Sequence, residues 1–397
     1  MQVVNRALRR AAMRAGLMLG LAVVAGFSPW PAAAQQGAGS IETIPGMPPV
    51  VDRNNLYSET RSDKLSPAVA KALPRVYVPN LKSNDVYVID PATLKVVDRF
   101  RVGMNPQHIV PSYDLKTLWV TNNAEGRTDG SLTPVDPATG KPGKSIAVDD
   151  PYNMYFTPDG RSAIVVAEAL KRLDFRDPQS MALQSSLSAP QCGGINHADF
   201  SIDGRFVIFT CEFQGSLAKI DLVGRKVLGY LKLSRGGMPQ DIRVSPDGKT
   251  FYVADMKADG VFLIDGESFK KIGFIRTGVG THGLYPSRDG TKLYVANRGS
   301  HHIHGKPHGK GSVSVVDFAT GRIVATWRIP GGGSPDMGNV SADGKVLWLS
   351  GRYDDVVYAI DTTSGEVRKI AVGKEPHGLT VWPQPGRYSL GHTGNMR

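Results

Sequence analysis

A short aspartate turn recurs along this chain at a nearly constant interval, and no other feature restricts the fold as strongly. It falls at Asp114, Asp159, Asp203, Asp247, Asp289 and Asp343, with glycine next in all but the first. The successive spacings are 45, 44, 44, 42 and 54 residues. A period of this size marks a propeller or an array, because one such unit cannot bury its own hydrophobic face.

The unit itself reads as β structure. Residues 291–297 follow an Asp-Gly turn and are rich in β-branched and aromatic side chains (Leu293, Tyr294, Val295). Residues 312–317 alternate polar and apolar, a turn at 318–321 leads to a third run at 322–329, and a Gly/Pro-rich link reaches a fourth. Four short strands joined by turn residues are the pattern of a propeller blade. Helical periodicity is nearly absent after Pro74. The predicted architecture is all-β: a seven-bladed propeller with four antiparallel strands per blade over residues 75–383. The chain enters at the second strand of a blade, near Arg75, and leaves on an innermost-type strand, Gly378 to Trp382. Pairing of those two segments is expected to close the ring and remove its free sheet edges.

The flanks read differently. Residues 1–34 carry a basic start (Arg6, Arg9, Arg10, Arg14), an apolar stretch and small residues at Ala32 to Ala34. This is a secretory signal pattern, and it predicts a periplasmic or secreted protein. The apolar stretch falls short of the roughly 20 residues of a membrane span, and a retained anchor is the rival reading. Residues 35–74 read as an arm with one short helix capped by Ser66 and started by Pro67. Residues 384–397 are expected as a tail beyond the closing strand.

Cleavage of the leader lowers the formal charge from +11 to +7. No run of consecutive Lys or Arg stands out, so a scattered basic surface is expected rather than a nucleic-acid groove. The two cysteines, Cys192 and Cys211, are expected to form a disulfide in an oxidising compartment, with free thiols or metal ligation as the alternatives.

Within the repeats, Tyr77-Val78-Pro79-Asn80, Trp119-Val120-Thr121-Asn122, Asp136-Pro137-Ala138-Thr139-Gly140 and Pro376-His377-Gly378-Leu379 carry a family resemblance. They resemble the motifs of the exported bacterial YVTN (YncE-like) seven-bladed propellers. That resemblance implies the fold rather than one activity. Related propellers include lactonases, lyases of the virginiamycin type and a haem-binding nitrite reductase, and fold alone does not choose among them.

Counting back seven and six residues from each turn places a polar ring at the start of the innermost strands, on the face opposite the Asp-Gly turns. From it we take His108, Asn153, His197, Gln240, Asp241, His282, Asp336 and His377 as candidate ligand-binding residues, since propellers commonly bind at this upper mouth. The ends of the second strands add Glu168, Glu212 and Asp255 from successive units. His197, His282 and His377 with Glu168 and Glu212 form a candidate metal set, because imidazoles and carboxylates are the ligands a divalent cation takes. Metal and other cofactors are otherwise unspecified. An insertion with His301, His302, His304 and His308 falls on the same face, so eight of nine histidines are expected there, with only His392 in the tail. Met337 is a copper-ligand candidate against a packing role. The competing reading is that the ring serves hydrogen bonding alone. No established nucleophile, zinc-protease or haem-attachment motif is present.

The sequence thus predicts an exported binding or interaction protein. Its partner at the upper face would be a small molecule, a metal ion or a protein. A metal- or cofactor-dependent enzyme of the lyase, lactonase or oxidoreductase type is the alternative.

Overall fold

The computed structural model describes residues 40–304, 310–392 and 394–397. The leader therefore lies outside the described residues, as does His308. Among the described residues the strands form seven antiparallel sheets arranged as blades. Six are four-stranded, and the blade that starts at Pro106–Pro111 has its outer edge split into Lys141–Pro142 and Ile146–Ala147. Closure is as expected. Arg75 pairs with Trp382, Val76 with Val381 and Tyr77 with Thr380, so the last strand completes the first blade.

The six Asp turns share one construction. The Ser or Thr two residues before the Asp donates its hydroxyl to that carboxylate, as Ser112 does to Asp114 (2.7 Å) and Thr157 to Asp159 (2.6 Å). The same hydroxyl accepts the N–H five residues on, for example Ser162 N to Thr157 Oγ1 (3.0 Å). The glycine after the Asp sits at φ +70 to +77°, a region that costs other residues energy. Leu115 occupies it in the first turn, at φ 66°.

Burial follows position in the blade. The second strands are buried apart from a first residue such as Lys292, because blades flank both of their faces, whereas an outermost strand such as Lys95–Arg101 is exposed or half-buried along its length. Apolar clusters fill the gaps between neighbouring blades, for example Ile164, Phe175, Phe200, Val207 and Phe209. The Cys192–Cys211 disulfide is formed, with Cα atoms 4.7 Å apart, and it lies in that same cluster. Cys211 pairs in register with Ile195, one residue from the Asn196 expected of a plain hairpin.

The arm crosses the lower face. Ile44 N donates to Asp203 O (3.0 Å), Leu56 N to Pro246 O (2.7 Å) and Tyr57 Oη to Val244 O (2.6 Å). Its expected helix is a single 3-10 turn, Pro67–Val69, with Ser66 Oγ accepting from Ala68 N (3.2 Å). Residues 384–397 were expected to lie beyond the closing strand. Instead, residues 388–392 and 394–397 pair as the two sides of a narrow hairpin inside the channel, where Leu390 N donates to Asn395 O (2.7 Å) and Arg397 N to Tyr388 O (3.0 Å). Ser389 Oγ bonds Pro111 O (2.9 Å), Asn395 and Arg397 both bond Asp199, and His392 N reaches Met154 O (2.9 Å). The segment carries the inner-strand hydrogen bonds that the channel wall leaves over, and this satisfies backbone groups that water would otherwise have to meet.

Candidate functional site

Every innermost strand carries an extra residue near its upper end. Pro106 faces Asn122 but His108 faces Thr121, which leaves Gln107 unpaired; Tyr152 and His282 are displaced in the same way. In three other blades a pair of residues spans the break: Asn196 with His197, Gln240 with Asp241, and Asp336 with Met337. The closing strand repeats it, since residues 376 to 380 run opposite 80 to 77. A bulge suspends the alternation of a strand and re-aims side chains. Two consecutive ring residues can therefore both serve the channel, at two depths.

The upper level is an open funnel of about 90 Å3. Its wall includes Gln107, Tyr152, Glu168, Glu212, Gln240, His282, Arg298, Arg352 and His377. Asp336 is its electrostatic centre. Arg298 donates to Asp336 Oδ1 from Nη2 (2.6 Å) and Nε (3.1 Å), His282 Nδ1 lies 2.9 Å from the same oxygen, and His377 Nδ1 is 2.7 Å from Oδ2. Burial alone would raise this carboxyl, but Arg298 and the two imidazoles hold it well below the usual range. Burial, together with Arg298, pushes His282 down to about 3; burial takes His377 to about 4 against the pull of Asp336. Glu212 accepts from Asn196 (2.8 Å) and Gln240 (2.9 Å). Burial pushes both Glu212 and Glu168 up, and Glu212 raises Glu168 further.

The lower level holds His108, Asn153, His197 and Asp241, all fully buried. Asp241 is engaged by Arg243 (3.0 Å) and by the backbone N–H of Ile242 and Leu284, so it links two blades rather than lining the funnel. Asn153 holds His392 Nδ1 at 2.9 Å. His108 and His197 sit beside His392, with their own backbone N–H groups donating to Thr121 and Thr210 (3.1 Å each).

The expected metal set is therefore not gathered in one place. His282 has Asp336 on one nitrogen and Arg298 on the other, His377 is held by Asp336, the two glutamates stand in the funnel wall, and His197 lies beneath with His108 and His392. Asp255 does not join the glutamates. It ends its strand and accepts N–H groups of Met238, Lys257 and Ala258, whereas Glu168 and Glu212 stand one residue past their strand ends. A one-residue offset turns a side chain to the opposite face. The same offset explains why Arg298 and Arg352 were missed: they follow Asn297 and Gly351 at the position that Glu168 and Glu212 occupy in their blades. Met337 receives the Tyr285 hydroxyl through its sulfur (3.3 Å) and packs in the wall. In the insertion, His301 pairs with Asp259 (2.7 Å) and His304 with Glu125 (3.3 Å) at the funnel edge.

Seven blades closed into a ring by pairing of the first and last strands define a β-propeller. Within that class, the chain belongs to the YNCE-like beta-propeller family, whose pattern matches residues 62–385. It is 23% identical over 317 residues to the uncharacterized protein YncE of Salmonella typhi, covering 73% of this chain and 81% of that one. Among solved structures it is similar to the periplasmic gluconolactonase PpgL of Pseudomonas aeruginosa (TM-score 0.62, 20% identity, 79% of this chain and 99% of that one). It is also similar to the hydrazine synthase of Kuenenia stuttgartiensis (TM-score 0.55, 18% identity, 70% and 90%). At these identities the structural likeness concerns the fold.

Proposed function

We propose that this is an exported propeller that binds a small, hydroxylated organic acid in the upper funnel. The carrying observation is Arg352. It lines the funnel and is buried, its Nε has no hydrogen-bond partner among the described residues, and its closest acid, Asp336, is 3.8 Å away and already committed to Arg298. A buried guanidinium with unspent donors is a seat for a carboxylate or similar anion. Around it, Gln107, Gln240, Tyr152 and the two glutamic acids offer donors and acceptors suited to hydroxyl groups, and Phe213 and Ile303 supply limited apolar surface. The gluconolactonase among the structural neighbours is named for a lactone, the cyclic ester of a hydroxylated acid, and so is in keeping with this ligand class. Export and a periplasmic or secreted location are supported by the leader pattern and by the formed disulfide.

One observation favours a catalytic version of the same site. Glu168 and Glu212 are both pushed up by burial beside the Tyr152 hydroxyl, and such a carboxyl pair suits general acid–base work on a bound lactone or hydroxy acid. The test is calorimetry and thermal shift with a panel of sugar acids and their lactones, scored also for lactone opening. Binding should be found in the parent and fall at least about tenfold in Arg352→Met. Binding that is unchanged in Arg352→Met and Gln240→Leu overturns the assignment; binding without turnover overturns only the catalytic version.

A further inference from the structure

Beneath the funnel, three imidazoles meet that no hydrogen-bonding account explains. The ring centroids of His108, His197 and His392 lie 5.3, 5.1 and 4.7 Å apart, edge-on or tilted rather than stacked face to face. One nitrogen from each falls within 4.8 Å of the others. All three residues are fully buried. Both nitrogens of His108, both of His197 and Nε2 of His392 have no hydrogen-bond partner among the described residues. Each buried polar atom left this way costs about 1–3 kcal/mol, so a cluster of five at one spot calls for a missing partner.

We infer that His108, His197 and His392 bind one divalent first-row transition-metal ion, and that the site exists only when the hairpin of residues 388–392 and 394–397 is seated in the channel. Three neutral imidazoles with an open fourth position are a donor set for zinc, copper, cobalt or nickel. A tetrahedral ion with bonds of about 2.0–2.1 Å wants ligand nitrogens about 3.3 Å apart. The observed spread exceeds that by about 1.5 Å at most, within reach of small side-chain rotations. Burial and the neighbouring imidazoles favour the neutral, ligating form of all three.

The surroundings look built to hold those rings. Asn153 Nδ2 lies 2.9 Å from His392 Nδ1 and positions that ring, and an ion on Nε2 would require Nδ1 to carry the proton and the Asn153 amide to turn its oxygen toward it. Asp241 Oδ1, which also accepts from Arg243, stands 3.6 Å from His392 Nε2. Gly378 is packed so closely on His108 that a Cβ there would lie 2.0 Å from Nδ1, so only glycine admits the ring. His377 and Tyr152 stand beside the cluster, with rings 4.8 and 5.3 Å from His108. Those two residues also form part of the funnel wall, so the cluster lies next to the funnel. The metal site nevertheless stands on its own residues and does not depend on Arg352.

The test uses full-length protein made without a histidine tag and stripped by chelator. Titration with Co2+ should reach one equivalent per chain and develop the strong visible absorption of a tetrahedral nitrogen-ligated ion, with Zn2+ competing. His197→Gln and His392→Gln should each weaken binding by at least about 100-fold. The His301→Ala/His304→Ala double variant should bind as the parent does. As a measurement free of folding defects, electron paramagnetic resonance of the Cu2+-loaded parent should show three imidazole nitrogens. No stoichiometric binding in the parent, binding that survives both glutamine variants, binding lost in the insertion variant, or fewer than three nitrogens would each overturn the inference.

Discussion

Replacing Asp336 with asparagine tests the electrostatic centre of the funnel directly. The substitution keeps the shape of the side chain and removes its charge. It leaves the guanidinium of Arg298 (side chain 3% exposed) without the carboxylate it bonds twice, and Arg352 (4%) without its nearest acid. Removing one partner of a buried pair costs about 3–5 kcal/mol, chiefly because the other charge stays buried and unpaired. An unfolding entropy of about 2.1 cal/mol/K per residue over roughly 350 folded residues is about 0.7 kcal/mol/K, so the melting point should fall by about 4–7 °C. Calorimetry at neutral pH reads this, and a double-mutant cycle checks the cause. Asp336→Asn with Arg298→Met should recover much of the loss, because neither charge is then stranded. A shift below about 1 °C, or a double variant as unstable as the two single losses added, would refute the reasoning.

Two further outcomes follow from other contacts. The His282 imidazole is held down to about 3, against an ordinary value near 6.5, so the folded protein binds the proton more weakly than the unfolded chain. Its contribution is complete above about pH 6.5 and is lost as pH falls toward 3, with a slope of up to about 1.4 kcal/mol per pH unit; melts across that window should show one proton fewer in His282→Gln. The Cys192–Cys211 bond closes a separation of 19 residues, so Cys192→Ser with Cys211→Ser should cost about 3 kcal/mol on the chain-entropy account, seen as a fall of about 4 °C in the same calorimetry, and an unchanged melting point would contradict it.

The repeat, the strand order and the ring closure were legible in the chain because they rest on local chemistry. An Asp-Gly turn, a β-branched run and an interval of 42 to 54 residues are visible one unit at a time. Counting from those turns also reached the funnel residues Gln240, His282 and His377, and the disulfide followed from two cysteines and the expected oxidising compartment. Depth and facing were decided only by the tertiary structure. Bulges, which depend on how a strand pairs, split the ring into two levels, and a single-residue offset sent Glu168 and Arg352 into the funnel but Asp255 away from it. Nothing in residues 384–397 marks His392 as a channel residue. Its place beside His108 and His197, nearly 300 and 200 positions earlier, comes from a closed ring whose inner strands still have hydrogen bonds to offer. A hairpin of the same chain meets them.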